Sequence, residues 1–348
     1  MMQTSNSPII SEKGLRKKRI FEGMKISNSV SILGVIVLFS FILSVMRQDF
    51  LTTHNLFVIA QAFAVTTLVG LAQMVVIGSG GMNLSVGSIG GLVGIITGGL
   101  MDHFGAPILV SILIGILAGA LCGVVNGWII SRMGATGVAS FLATLATSSI
   151  FLGLNLGITN AKPYYNLPAS YTFLGNGSVL GLPVIMVIAL LLAAIVGFIF
   201  KYTGLGRQIL AVGGNLKCAE LSGIKIKRIL IITHALSAVL ASAAAILLVA
   251  RLTSAQPDIG TDWMLFSFAA PLIGGTLLSG GRVSVTGTVL GALLLALITN
   301  GLVHMNLDIY WMTLIQGLII LIAVGIDRIR VLREERSQRI QRQESEAA

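Results

Sequence analysis

Long apolar runs with almost no charged residues constrain the fold of this chain more than any other feature. A helix needs roughly 20 apolar residues to cross the hydrocarbon core of a membrane. Segments of this kind occur at residues 29–46, 56–77, 83–101, 107–130, 137–158, 181–200, 229–250, 263–278, 284–302 and 310–327. Only 10% of the residues are charged, against about a quarter in a soluble protein. The sequence therefore predicts an all-α, polytopic integral membrane protein with about ten transmembrane helices.

The lysines and arginines predict how the chain is oriented. If both termini are cytoplasmic, 20 of the 23 basic residues lie on the cytoplasmic side, in line with the positive-inside rule. We therefore expect a cytoplasmic tail over 1–28, a transmembrane domain over 29–328 and a basic cytoplasmic tail over 329–348. Because acidic residues interleave with the arginines of the last segment, the net charge of +10 predicts contact with membrane lipids and no nucleic-acid partner.

The positions of the 13 acidic residues limit the transport mechanism. All of them fall in tails, loops or span ends, whereas proton-coupled carriers typically need an ionisable group at mid-depth. The sequence also lacks a G-x-x-x-x-G-K-[ST] phosphate loop, metal-ligand spacing and a nucleophile beside a base. We expect no enzymatic activity and no cofactor in this chain. An ion-coupled secondary transporter remains an alternative, because backbone carbonyls of broken helices can bind sodium.

A basic, glycine-rich insert at residues 203–228 separates the sixth and seventh predicted spans. "TGLGR" (203–207) predicts a turn that ends the sixth span. Asn215 is a suitable N-cap for a short helix, and Gly223 suits the left-handed position that closes it. Leu216, Ala219 and Gly223 fall on one side of this helix. Since it is too short to be stable alone, we expect it to dock through that small-residue face.

Several motifs resemble the membrane permeases of bacterial ribose-type sugar ABC importers. They are "GRQILAVGGNLKCAELSGIKIKRI", "ALSAVLASAAAILLVARLTSAQP", "NLSVGS", "FLATLAT", "IGGTLLSGGR" and "GTVLGALLLALITNGL". The likeness runs from about residue 50 to 330. It implies a dimer with a second permease copy or a paralogue in the bacterial cytoplasmic (inner) membrane. It also implies a cytoplasmic ATPase subunit that binds ATP, and a periplasmic or extracellular substrate-binding protein that delivers a monosaccharide or related polyol.

The resemblance assigns the cytoplasmic insert to ATPase coupling. Carried over by position, the contact residues are Gly206, Arg207, Gly213, Gly214, Asn215, Glu220, Ser222 and Gly223. For the translocation path, polar residues within or at the ends of spans are the candidates. These are Gln73, Asn83, Ser85, Ser88, Asn126, Thr144, Thr147 and Asn155. Each of them also has an alternative role as a hydrogen-bonding tie between helices.

The outer loops predict a landing site for the binding protein. The candidates are Lys162, Tyr164, Tyr165 and Arg251.

On the predicted cytoplasmic side, residues 78–88 and 278–288 are similar glycine-rich turns. An internal duplication and shared turn chemistry are both open explanations of this similarity. The chain departs from the resembled family at Asn83, where an aspartate is usual. It departs again after "SAQP", where acidic residues are usual and this chain has Met264 and Phe266. A non-transporting scaffold is a third possible function.

Overall fold

The computed structural model describes residues 28–135 and 137–305, together with isolated positions between 311 and 325. Apart from Asn28, the predicted tails over 1–28 and 329–348 lie outside the described residues, as does most of the predicted tenth span, 310–327.

The described chain is mostly helical. Its helices are α1 (Asn28–Met46), α2 (Thr53–Gly78), α3 (Val86–Phe104), α4 (Ile108–Arg132), α5 (Gly137–Thr159), α6 (Ala169–Asn176), α7 (Val184–Tyr202), α8 (Gly204–Gly214), α9 (Leu216–Leu221), α10 (Ile226–Leu252), α11 (Trp263–Ile273) and α12 (Val285–His304), with a 3₁₀ turn at Gln48–Leu51. A two-residue hairpin, β1 (Ser178–Val179) with β2 (Leu182–Pro183), is the one sheet among the described residues. The all-α prediction therefore needs this small amendment.

Seven helices of the described chain are long and apolar enough to cross a membrane, namely α1, α2, α4, α5, α7, α10 and α12. Each coincides with a predicted span. The third predicted span, 83–101, corresponds to the glycine-rich α3, which is shifted towards the C-terminus because residues 83–85 are not helical. The number of spans beyond these seven and the cytoplasmic position of the termini remain predictions.

The eighth predicted span, 263–278, is wrong as a continuous helix. α11 has only 11 residues, about 16 Å of helix, while the hydrocarbon core is about 30 Å thick. Gly275, with φ +85°, ends it. Its N–H donates to Leu272 O (3.0 Å), while the N–H of Thr276 donates to Pro271 O (2.9 Å), which is a Schellman closure. Hydropathy did not reveal this stop because the loop that follows is also largely apolar.

A non-helical segment precedes α11 and runs beside α3. A methyl group added at Gly98 would meet the side chain of Ala255, and one added at Gly87 would meet the carbonyl of Gly260. Residues 255–260 therefore follow α3 over nearly three turns, in the opposite direction to α3. Non-helical backbone at membrane depth is tolerated only where protein buries it or where it lines a cavity.

The centre of the protein is built on α2 and α10. In each helix, 67% of the most apolar 18-residue stretch is buried. α10 packs against α2, α3, α4 and α6. Its contact with α4 is close because glycines recur every fourth residue on α4. Methyl groups added at Gly119, Gly123 and Gly127 would strike Ser242, the Ala235 backbone and the Ile231 backbone, respectively. Small residues of this kind let two helix backbones approach in lipid.

Candidate functional site

A buried break separates α2 from α3 at residues 79–85. Asn83, at its centre, is completely buried. Its Nδ2 donates to Ser237 Oγ on α10 (3.1 Å), and its Oδ1 accepts from the N–H (3.1 Å) and the hydroxyl (2.7 Å) of Ser85. With its amide oriented to match these neighbours, Gln73 donates to Asn83 O (2.8 Å) and accepts from Asn83 N–H (3.2 Å). The side chains thus replace the helical hydrogen bonds that the break gives up.

Two further helices attach to the same break. From α4, Asn126 Nδ2 donates to Ser85 Oγ (2.7 Å), while Thr144 on α5 accepts the N–H of Leu84 (3.1 Å). Ser140, one turn earlier on α5, donates to Met82 O (2.7 Å). Five of the predicted path residues therefore form one buried network with the break: Gln73, Asn83, Ser85, Asn126 and Thr144.

The sequence interpretation missed two members of this network, Ser140 and Ser237. The i, i+4, i+7 spacing of Ser140, Thr144 and Thr147 was the available signal for the first, since it places three hydroxyl groups on one helix face. His234 on α10 is also fully buried beside this network. Its Nδ1 lies 2.9 Å from Leu230 O and its Nε2 lies 3.4 Å from Ser140 Oγ.

A cavity of about 240 Å³ lies between α3, α5 and the segment that leads into α11. Its polar side chains are Ser88, Ser148, Ser149, Asn155 and Thr261, and none of the described residues that line it is charged. Of the predicted path residues, Ser88 and Asn155 line this cavity and the network residues do not. Thr147 is buried and bonds to Thr144 O (3.3 Å) instead. Ser148, Ser149 and Thr261 were not singled out from the sequence.

Asn155 is the distinctive polar group of this cavity. It is 1% exposed, and its Nδ2 donates to Pro257 O (2.7 Å), which ties α5 to the non-helical segment before α11. Its Oδ1 is buried and has no hydrogen-bond partner. A buried acceptor without a donor costs free energy. Met264 adds an apolar side chain to the lining.

Two short helices, α8 and α9, lie between the spans α7 and α10. As predicted, Asn215 caps α9 by accepting the N–H of Cys218 (3.0 Å), and Gly223 adopts the left-handed conformation with φ +78°. The predicted turn at 203–207 is wrong beyond its first residue. Thr203 ends α7 and caps the next helix, accepting the N–H of Gly206 (3.3 Å), so that α8 begins at Gly204.

The faces of this helix pair separate the predicted coupling residues into two groups. Exposed are Arg207, Gly214, Asn215, Glu220, Ser222 and Gly223, while Gly206 is buried and Gly213 is half-buried. Ala219 belongs to the buried core and Leu216 packs against it. The face predicted to dock on a partner therefore packs largely on the protein itself. The accessible face of α9 carries Glu220 and Leu221, and Leu221 is 81% exposed.

Three segments meet through bare backbone at the end of α8. The N–H of Gly281 donates to Gly78 O, the end of α2, at 3.2 Å. A methyl group added at Gly213 would strike Gly78 O and would lie 2.7 Å from Gly281 N, and one added at Gly280 would lie 2.7 Å from Gly80 Cα. We call this contact the glycine junction. It brings together the two similar turns at 78–88 and 278–288, so α8 cannot shift without moving both of them.

The four predicted docking residues lie at the other end of the spans. Tyr164 pairs with Ala255 through two backbone hydrogen bonds of 2.9 Å each, and its ring packs edge-on against His103 with centroids 4.6 Å apart. Lys162 and Tyr165 are exposed, whereas Tyr164 and Arg251 are half-buried. The Arg251 carbonyl accepts from Asn176 Nδ2 (2.9 Å). Lys162 and Tyr165 are thus the accessible members of this group.

Comparison with known proteins gives the family. The protein-family model described as "Branched-chain amino acid transport system / permease component" matches residues 55–324. The chain belongs to this permease family. It is therefore a multi-pass membrane protein, and the resemblance found in its motifs is confirmed. No solved structure matches the chain significantly.

Individual relatives are sugar permeases by name. The chain is 36% identical over 289 residues to the ribose import permease protein RbsC of Bacillus subtilis, covering 82% of this chain and 88% of the relative. It is 34% identical over 286 residues to the D-allose transport system permease protein AlsC of Escherichia coli, covering 82% and 87%. The Escherichia coli ribose permease RbsC is 33% identical over 315 residues, covering 89% and 96%.

Proposed function

We propose that this chain is the translocation subunit of an ATP-driven importer for a monosaccharide or a related polyol. About ten membrane crossings would place both termini in the cytoplasm of a bacterium, with the chain in the inner membrane. The names of its relatives, ribose and allose permeases, support this substrate class. The family's own description names amino acids, so the substrate class needs support from the chain itself.

The uncharged cavity is the observation that carries the proposal. A monosaccharide has many hydroxyl groups and no charge, and Ser88, Ser148, Ser149, Asn155 and Thr261 offer it matching hydrogen bonds. Each such bond contributes only about 0.5–1.5 kcal/mol net, which suits a path that the substrate must leave again. An amino acid would instead need partners for its ammonium and carboxylate groups, and none of the described lining residues is charged.

The driving force enters at α8 and α9 in this proposal. A separate ATPase subunit would contact the exposed face with Arg207, Glu220 and Leu221. Its movement would pass from α8 through the glycine junction to the break at 79–85 and to the loop after α11. The break leads directly to a cavity wall, because Leu84 lines the cavity. The loop connects to the cavity through the length of α11, whose first turn carries the lining residue Met264.

The remaining partners follow from the same scheme. A substrate-binding protein would land near Lys162 and Tyr165, which are exposed and in this orientation would lie on the outer side. A second copy of the chain or a paralogous permease would complete the membrane part. The exposed apolar residues of α4, such as Leu109, Leu113 and Leu117, would face lipid or this second subunit.

Uptake in proteoliposomes tests the proposal. The purified chain is reconstituted alone, with an ATPase subunit, or with the ATPase and a binding protein, and radiolabelled ribose, allose, a polyol and leucine are offered with and without ATP. We expect uptake of a sugar or polyol only in the complete system with ATP. Accumulation by the chain alone under an ion gradient would identify a secondary transporter and refute the proposal. Preferential uptake of leucine would refute the substrate class.

A further inference from the structure

A groove of about 620 Å³ opens between the first turns of α8, the end of α9 and the first turns of α10. We call it the basic groove. Its apolar residues are Leu205, Ile224, Ile229 and Ile232, and its polar and charged residues are Gln208, Ser222, Lys225 and Arg228. It is separate from the cavity between α3 and α5 and shares no lining residue with it.

The two cations of the basic groove are not neutralised within the part of the chain that the structure describes. Lys225 and Arg228 are both exposed, and no ion pair is formed by either of them with a described carboxylate. The positive-inside rule accounts for their sign but not for their position on one concave surface. Lys227 lies between them in sequence and is also exposed, yet it does not line the groove.

The exposed face of α9 and the basic groove form one continuous surface. Ser222 caps the end of α9 and Gly223 follows it, and both residues also line the groove. A partner that contacts Glu220 and Leu221 therefore reaches the groove without leaving the surface. The groove therefore combines an apolar surface with two unpaired cations. This combination suits a ligand in which an anionic group lies next to an apolar group.

We propose that the basic groove receives a segment of the ATPase subunit in which an aspartate or glutamate stands beside an aliphatic side chain. This inference rests on the proposed function. The carboxylate would pair with Lys225 and Arg228, while the aliphatic side chain would cover Leu205 and Ile224. Glu220, outside the groove, would face a cation of the same partner. Two charge pairs of opposite sense fix the register of two docking surfaces, because a shifted partner would meet like charges.

Binding of the ATPase subunit to the chain in lipid nanodiscs tests this inference. The dissociation constant is measured at low and high salt for the wild-type chain, for Lys225→Glu with Arg228→Glu, and for the matched control Lys227→Glu. Each is measured in nanodiscs of phosphatidylcholine alone and of phosphatidylcholine with phosphatidylglycerol. Lys225→Gln with Arg228→Gln provides a second variant that removes the charges without reversing them.

We expect the double charge reversal to weaken binding roughly tenfold in either lipid and to reduce its salt dependence. The Gln variant should lie between it and the wild type, and Lys227→Glu should stay within about twofold of the wild type. Equal affinity of wild type and double reversal would overturn the inference and leave the proposed function standing. Wild-type binding that requires phosphatidylglycerol would also overturn it, and would identify a lipid headgroup as the occupant. If the wild-type chain binds no ATPase subunit in either lipid, the proposed function itself fails.

Discussion

Replacing Gly213 by alanine should uncouple ATP hydrolysis from uptake. The added methyl group would strike Gly78 O and would lie 2.7 Å from Gly281 N, both of which are backbone atoms. Backbone atoms cannot relieve a clash by a rotamer change as a flexible side chain can, so α8 must move away from the junction. Overpacking of this kind costs about 1–3 kcal/mol, and 1.4 kcal/mol is about tenfold in an equilibrium constant. If the junction must close in the transport cycle, we expect uptake to fall roughly 10- to 100-fold.

The neighbouring residue supplies a matched control. Gly214 is in the same helix, and a methyl group added there would meet only Gly281 Cα, at 3.9 Å. Gly214 was carried over as a predicted ATPase contact, but the added methyl group clashes with no atom, so the alanine variant should keep the junction closed and retain far more uptake than Gly213→Ala.

The assay compares sugar uptake with ATP hydrolysis in the same proteoliposomes. For Gly213→Ala we expect basal hydrolysis to persist while substrate-stimulated hydrolysis and uptake are lost. Equal uptake by the Gly213→Ala and Gly214→Ala variants would refute the argument that force passes through this junction. A thermal melt in detergent separates uncoupling from unfolding: an uncoupled but folded Gly213→Ala variant should melt above the assay temperature.

Three further changes test the rest of the site. Asn83→Ala removes the hub of the helix break and should lower the melting temperature, since each orphaned polar group costs about 1–3 kcal/mol; an unchanged melt would contradict the network. Asn155→Leu removes a polar side chain from the cavity lining and should raise the KM for uptake about tenfold, while Thr147→Val, buried on the same helix but outside the cavity, should leave KM unchanged. Asn215→Ala removes the cap of α9, worth about 1 kcal/mol, and should speed amide hydrogen exchange at Cys218 roughly fivefold; equal exchange would show that packing alone holds this helix.

Hydropathy and local capping rules predicted much of the fold. The seven long spans were correct because a run of about 20 apolar residues has few alternatives to a membrane helix. The ends of α9 were also correct, since Asn215 and Gly223 act through contacts within a few residues. Both kinds of signal are local in the chain.

The errors arise where tertiary packing decides. α8 was missed because "TGLGR" contains turn residues, yet Gly206 is helical and packs so closely on α7 that a methyl group would strike Phe200 Cα. α11 was extended too far because hydropathy does not distinguish a helix from an apolar loop. The polar residues were found individually, but whether each faces the cavity or the break depends on how the helices are rotated, which the span pattern does not encode.

The close contact between α4 and α10 has a consequence for how the protein can open. At three successive turns the glycines of α4 sit against atoms of α10 with no room for even one added carbon. Because the contact is so close, α4 and α10 cannot slide or rotate against each other by a fraction of a turn without steric clashes. They should move as one rigid unit, so that any opening must occur at other helix contacts.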